Sequence, residues 1–260
     1  MSRILVIGSS HAAAVRRALP LIAAEYPHHQ ITCWTLTASC FDMARVGQDG
    51  ILTPDPTRPG VARQALRWNG ADSVDLRLFD HILMCGTDLG APQSIGLLAG
   101  LQPLEWGQRL GARGVSMDFL RAAVRVAIDT ALLAQKSRIP FDPRFAAIPV
   151  PYASDESHDP AASPLPPAAC LARHPQGQAL CELYEAELVA ACRAEGLTFV
   201  PQPRETLARP WVTRGQFIDT NVKDNRHMND AFGLHIFRAF AASLPDITET
   251  SPRLAKAAAT

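Results

Sequence analysis

Ser10, His227 and Asp224 are the residues of this 260-residue chain whose types fit one piece of chemistry. Acyl transfer at neutral pH needs a hydroxyl that attacks, an imidazole that takes and returns its proton, and a carboxylate that orients the imidazole. Ser10 stands in Gly8-Ser9-Ser10-His11 behind the apolar run Ile4-Leu5-Val6-Ile7, and His227 closes Asp224-Asn225-Arg226-His227 near the other end. An Asp and a His three residues apart can lie on one side of a turn, so one short loop could bring base and orienter to a serine held at a strand end. Order along the chain carries no weight in such a triad; geometry does. Another role is open for each residue. A Ser just before a helical pattern is the ordinary N-cap. Asp224 and His227 also fit a polar surface loop, with Asn229 or Asp224 capping the helix that follows.

Positioning these groups falls to strand-like and helical runs that alternate, the pattern of an α/β protein with a largely parallel sheet. Strands are expected over residues 3–7, 30–36, 80–85, about 146–150, and 198–201. A helix over 12–24 follows the first strand, and the intervening glycine permits a sharp turn that puts Ser10 at the junction. Leu120, Val124, Ile128 and Leu132 mark a helix over 116–135, and Leu180, Leu183, Leu188 and Ala191 one over 178–195. Phe232, Ile236 and Phe240 form an apolar stripe on a last helix over 229–244, directly after the Asp-x-x-His segment. Residues 151–167, rich in Pro, Ser, Ala and Asp, read as a surface loop, and 247–260 as a flexible tail. The Pro- and Gly-rich stretch 47–60 reads as irregular, and loops after strand C-termini are where binding sites collect in this fold class. One domain over 1–260 is expected, without internal repeats.

The remaining composition excludes several functions. Lys and Arg number 25, Asp and Glu 25, so the basic footprint that nucleic-acid binding requires is missing. The six cysteines form no Cys-x-x-Cys pair and have no His at zinc spacing, which makes buried free thiols the expectation. There is no signal-peptide pattern and no 18-residue apolar span, so a soluble cytoplasmic protein without membrane insertion is expected. Gly8-Ser9-Ser10-His11 lacks the later glycines of a dinucleotide fingerprint, and no phosphate-binding Gly-Lys-Ser/Thr loop is present. His11, next to Ser10, could line the site, with a packed or solvated place in the first turn of its helix as the expectation, and His28-His29 have no carboxylate partners at useful spacing. No metal or cofactor is assigned.

With these two segments the chain resembles the SGNH (GDSL-type) esterases and acyl-hydrolases over nearly its full length. The family's Gly-Asp-Ser block after the first strand is matched by Gly8-Ser9-Ser10, with Ser9 in place of Asp. Its closing Asp-x-x-His block is matched by Asp224-Asn225-Arg226-His227, and Met228-Asn229 followed by Phe232-Gly233 continues the likeness. The resemblance implies a three-layer α/β/α, flavodoxin-like fold with a mainly parallel five-stranded sheet. It also implies Ser10 as nucleophile, His227 as base and Asp224 as orienter, working through an acyl-enzyme without a cofactor. The family's oxyanion hole combines the nucleophile's own N–H, a glycine N–H, and the side chain of an Asn in a Gly-x-Asn block. Gly47, with Gly50 as rival, takes the glycine's place, and Gly86-Thr87-Asp88 the third block, with Asp88 where Asn stands. An ionised carboxylate only accepts hydrogen bonds, whereas Asn donates. Either Asp88 is protonated, or Thr87 or another donor replaces it, or the hole is weak; an ordinary strand-ending turn is the further alternative for 86–88. The implied activity is hydrolysis of a short acyl ester on a carbohydrate or small metabolite. Transfer of the acyl group to polysaccharide hydroxyls, in bacterial surface-polysaccharide or exopolysaccharide pathways, and carbohydrate binding without turnover are the alternatives. Oligomeric state is left open.

Overall fold

Ile4, Leu5, Val6 and Ile7 are all fully buried, because the strand they form, β1 (Arg3–Gly8), lies in a sheet covered on both faces. The computed structural model describes residues 1–107, 113–154, 167–222 and 226–244. Beside β1 run β2 (Gln30–Thr35), β3 (His81–Thr87), β4 (Phe145–Pro149) and β5 (Thr198–Phe199), all parallel, in the order β5-β4-β3-β1-β2. The covering helices are α1 (Ala12–Arg17), α2 (Leu19–Glu25), α3 (Pro59–Asn69), α4 (Ala91–Gly100), α5 (Met117–Lys136), α6 (Gly177–Ala194) and α7 (Asp230–Ala242).

Side-chain alternation along the strands feeds two separate cores. Ile4, Val6, Leu83, Cys85, Ala146 and Ile148 pack with α1, α2 and α7. Leu5, Ile7, Ile82, Met84, Phe145 and Ala147 pack with α3 to α6. The result is the expected three-layer α/β/α arrangement with the flavodoxin-like order 2-1-3-4-5. In such a sheet the crossovers diverge between β1 and β3, which opens a crevice beyond their carboxyl ends. Gly8 and Cys85 are paired at those ends.

The five expected strands are present with small shifts of boundary. The fifth stops at Phe199, with one further bond from the Val200 N–H to the Ala147 carbonyl at 2.9 Å, since Pro201 and Pro203 have no N–H to continue the ladder. The helix expected over 12–24 is divided at Ala18 into α1 and α2. Pro20 cannot donate to the carbonyl four residues earlier and so sits in the first turn of a new helix. The stretch read as irregular, 47–60, carries structure: Arg45–Val46 and Ile51–Thr53 form a hairpin that also pairs with Val74–Asp75, and α3 starts at Pro59. The proposed loop falls largely on residues 155–166 and the proposed tail on 245–260, which lie outside the described residues. All six cysteines are free thiols, Cys85, Cys181 and Cys192 buried among them. Among the described residues no helix is long and apolar enough to cross a membrane.

Helix α7 is seated by close backbone contact with α1: a Cβ on Gly233 would stand 2.2 Å from the Ala14 carbonyl oxygen. Gly233→Ala is therefore expected to lower the urea-unfolding free energy by ~1–3 kcal/mol, the usual effect of overpacking. Gly60 in α3 has nothing within 4 Å of its would-be Cβ, so Gly60→Ala should be neutral or stabilising by up to ~1 kcal/mol in the same measurement.

Candidate active site

The turn after β1 must begin with glycine. Gly8 has φ +154°, and a Cβ there would lie 2.1 Å from the Cys85 carbonyl oxygen of β3. With only a hydrogen in that space, the Ser9 N–H donates to the same carbonyl at 3.3 Å, and the buried Ser9 hydroxyl donates to the Gly86 carbonyl at 3.2 Å. Ser9 thus faces back into the sheet and Ser10 is half-buried at its edge. Helix α1 follows at once, the Ala12 N–H donating to the Ser9 carbonyl at 3.0 Å and the Ala13 N–H to that of Ser10 at 3.1 Å. The N-cap of α1 is His11, without a side-chain capping bond. The Ser10 hydroxyl is engaged elsewhere: its Oγ lies 2.9 Å from Nε2 of His227.

His227 arrives from the far end of the chain, and its segment is held on three sides. Its carbonyl accepts from the Asp219 N–H at 2.9 Å, and the Asn229 N–H donates to the Phe217 carbonyl at 2.8 Å, so 217–219 and 227–229 pair like short antiparallel strands around the Ile218–Met228 bridge. Arg17, the last residue of α1, donates to the Met228 carbonyl and forms an ion pair with the buried Asp219 at 3.0 Å. Asn229 caps α7, its Oδ1 accepting from the Phe232 N–H at 3.1 Å, while its Nδ2 donates to the Gln216 carbonyl at 2.8 Å. Helix α1 therefore follows directly on the Ser10 turn and carries, at its other end, the arginine that anchors the His227 segment.

The other anticipated residues are placed as follows. Asp224 lies outside the described residues. The Gly47 N–H donates to the Ile51 carbonyl at 2.9 Å inside the hairpin turn, and the rival Gly50, at φ +76°, donates to the Gly47 carbonyl at 3.0 Å. Thr87 is buried and its hydroxyl donates to the Ile148 carbonyl at 3.4 Å. Asp88 is exposed; its carboxylate accepts from the Gly90 N–H at 2.9 Å and faces a cavity of about 500 Å³ also lined by Asp42, Gln135 and Arg138. Burial pushes the Asp42 carboxyl up, with Arg138 opposing and Asp88 reinforcing the shift. Of these donors the Ser10 N–H alone carries no hydrogen bond among the described residues. Of the two places expected for His11 the packed one is found: its side chain makes no capping bond, and its ring stacks on that of His227. Arg17 and Asp219 had no signal in the sequence, since their role exists only once the two chain ends meet. Among the described residues no group of three or more His, Cys, Asp or Glu side chains is placed to hold a metal ion.

Fold and contact together define an α/β protein with a serine–histidine pair at the switch point of a parallel sheet. No protein-family model matches the chain, and no curated protein matches it either. Among solved structures it is similar to a GDSL-like lipase from Bacteroides thetaiotaomicron, at 12% identity and a TM-score of 0.37, over 95% of this chain and 88% of that one. It is similar also to an extracellular lipase from Streptomyces rimosus, at 11% identity and a TM-score of 0.43, over 94% of this chain and 100% of that one. A protein from Lactobacillus plantarum matches at 16% identity and a TM-score of 0.39, over 94% of this chain and 96% of that one.

Replacing Arg17 by Met keeps the aliphatic stem but leaves the Asp219 carboxylate without its cation and the Met228 carbonyl without this donor. Arg17→Met is expected to lower the urea-unfolding free energy by ~1–3 kcal/mol, as for other buried polar groups stripped of a partner. Equal unfolding midpoints for the two proteins would show that the clamp adds nothing to stability.

Proposed function

We propose that the chain is a serine ester hydrolase in which Ser10 is the nucleophile, His227 the general base and Asp224 the residue that orients the imidazole. One observation carries the reading: the 2.9 Å contact between Ser10 Oγ and His227 Nε2 at the open, carboxyl end of the sheet. For the serine O–H to donate to Nε2, the neutral ring keeps its proton on Nδ1, the atom that an orienting carboxylate would accept from. As Ser10 Oγ bonds to the acyl carbon, its proton passes to Nε2, and the carbonyl becomes an oxyanion. The imidazolium then returns that proton to the leaving alcohol as the C–O bond breaks, leaving an acyl-Ser10 ester. Water, deprotonated by His227, attacks this ester; as the acyl C–Oγ bond breaks, the imidazolium returns the proton to Ser10 Oγ and the acid is released.

The Ser10 N–H is the first oxyanion donor in this proposal. The Gly47 N–H and the Thr87 hydroxyl would contribute only by giving up their bonds to Ile51 and Ile148, and the Asp88 carboxylate would repel a developing negative charge. Each missing donor lowers turnover by ~10²- to 10³-fold, and the glycine and side-chain donors are both engaged or absent, so slow hydrolysis is expected. A short acyl ester of a carbohydrate or small metabolite is the proposed substrate class, from the resemblance of the two motifs. An acyl-Ser10 intermediate could equally pass its acyl group to a sugar hydroxyl. The engaged state of Gly47 and Thr87 favours a second reading, carbohydrate binding without turnover.

A fluorophosphonate is expected to label the protein at Ser10, and an aryl acetate to be hydrolysed. Ser10→Ala should abolish labelling, and Ser10→Ala and His227→Ala should each lower kcat by at least ~10³-fold. Activity that survives both substitutions would sink the catalytic reading. Carbohydrate binding by calorimetry without any labelling would favour the second one.

A further inference from the structure

His11 stands between the serine turn and α1, with its ring centroid 5.1 Å from that of His227 and the two planes 16° apart. That is the offset, near-parallel geometry of stacked rings. His11 also lies against Gly86: a Cβ there would lie 2.7 Å from the His11 Cβ and 3.0 Å from its Cδ2. Gly86, at φ +71°, thus supplies both the register shift between Cys85 and Thr87 near the end of β3 and the room in which His11 sits. The hydrogen bond to Ser10 fixes one atom of the His227 ring, and the backbone pairing with Asp219 fixes where its side chain starts. The torsion of the imidazole about its Cβ–Cγ bond has an intrinsically broad well, and beside the Nδ1 partner role proposed for Asp224 a flat neighbour at stacking distance narrows it further.

We propose that His11 is a positioning residue for the Ser10–His227 pair: braced on Gly86, its ring holds the His227 imidazole in the plane that keeps Nε2 on Ser10 Oγ. The inference rests on the reading of Ser10 and His227 as nucleophile and base. It requires the flat face of His11 and neither of its protons, so a phenyl ring should serve in its place and an aliphatic side chain of similar bulk should not.

The test measures, on the full chain, the second-order rate of fluorophosphonate labelling and the kcat and KM for an aryl acetate. His11→Ala and His11→Leu are expected to lower labelling rate and kcat by ~10- to 100-fold, the scale of a misaligned reacting group. KM should stay within about twofold, since a group acting only in the transition state leaves it unmoved. His11→Phe should recover most of both rates. His11→Leu fills the site, so a loss there with an unchanged urea-unfolding midpoint separates stacking from mere packing. Recovery by Leu as complete as by Phe, or a Phe variant as slow as Ala, would overturn the inference. So would a His11→Ala protein labelled at the unaltered rate while Ser10→Ala is not labelled, an outcome that leaves the Ser10 reading standing. Absence of labelling in the unaltered protein would remove that reading and the inference with it.

Discussion

Where β1 ends, its backbone comes against β3 with no room for a side chain between them, and the arrangement of the site follows from that contact. A Cβ on Gly8 would be 2.1 Å from the Cys85 carbonyl oxygen. Because glycine removes it, the N–H of Ser9 reaches Cys85 and the hydroxyl of Ser9 reaches Gly86. The residue after a side chain so pinned leaves the sheet, and that residue is Ser10. The second glycine, Gly86, takes the same requirement on the other strand and adds the space that His11 occupies. Both lie at the switch point of a 2-1-3-4-5 sheet, where neighbouring crossovers leave the strand ends uncovered. Burial at this seam also pushes the Cys85 thiol far up, so the sulfur nearest the turn is held in its unreactive, protonated form.

Bringing His227 to Ser10 joins positions 217 residues apart, yet the distance along the chain matters little to the free energy, since loop closure grows only with the logarithm of length. What matters is how the second segment is fixed on arrival. Helix α1 has 6 residues, spanning ~9 Å at the usual rise, and it joins the serine turn directly to Arg17. Arg17 holds the segment by Asp219 and Met228, and Gly233 lets α7 lie flat on Ala14 of the same helix. Serine and histidine are therefore referred to one short rigid body rather than to two independent loops, which confines their separation without any covalent tie.

The five strands were legible because a parallel strand buried on both faces is a continuous apolar run, and Ile4-Leu5-Val6-Ile7 could be little else. Helices with one apolar face, α5 and α6, were equally plain. Helix α3 is harder to read: Pro59 in its first turn and the left-handed Gly70 after its last are the ordinary bounds of a helix, but the prolines just before it speak for irregular chain. The Ser10 and His227 residue types were readable, but their contact was not, because no local pattern encodes a 2.9 Å distance between chain ends. Gly47 shows the opposite case. Its spacing after β2 suited an oxyanion donor, and a short antiparallel hairpin claims its N–H for Ile51.

Asp88 separates what the fold needs from what the proposed chemistry needs. The chain leaves β3 and must turn into α4 through Gly90, whose left-handed backbone lies so close to α5 that a Cβ would be 2.8 Å from the Ala127 carbonyl oxygen. The turn is tied by an acceptor at position 88, the carboxylate oxygen that receives the Gly90 N–H, a bond that either Asp or Asn can make. An Asn would supply that acceptor and keep an NH₂ group to donate; an Asp supplies the acceptor alone. The demand of the turn is thus met in full by either residue. What an Asp adds is its charge, which helps to push up the Asp42 carboxyl across the cavity the two share with Arg138; an Asn would keep the turn and remove that push.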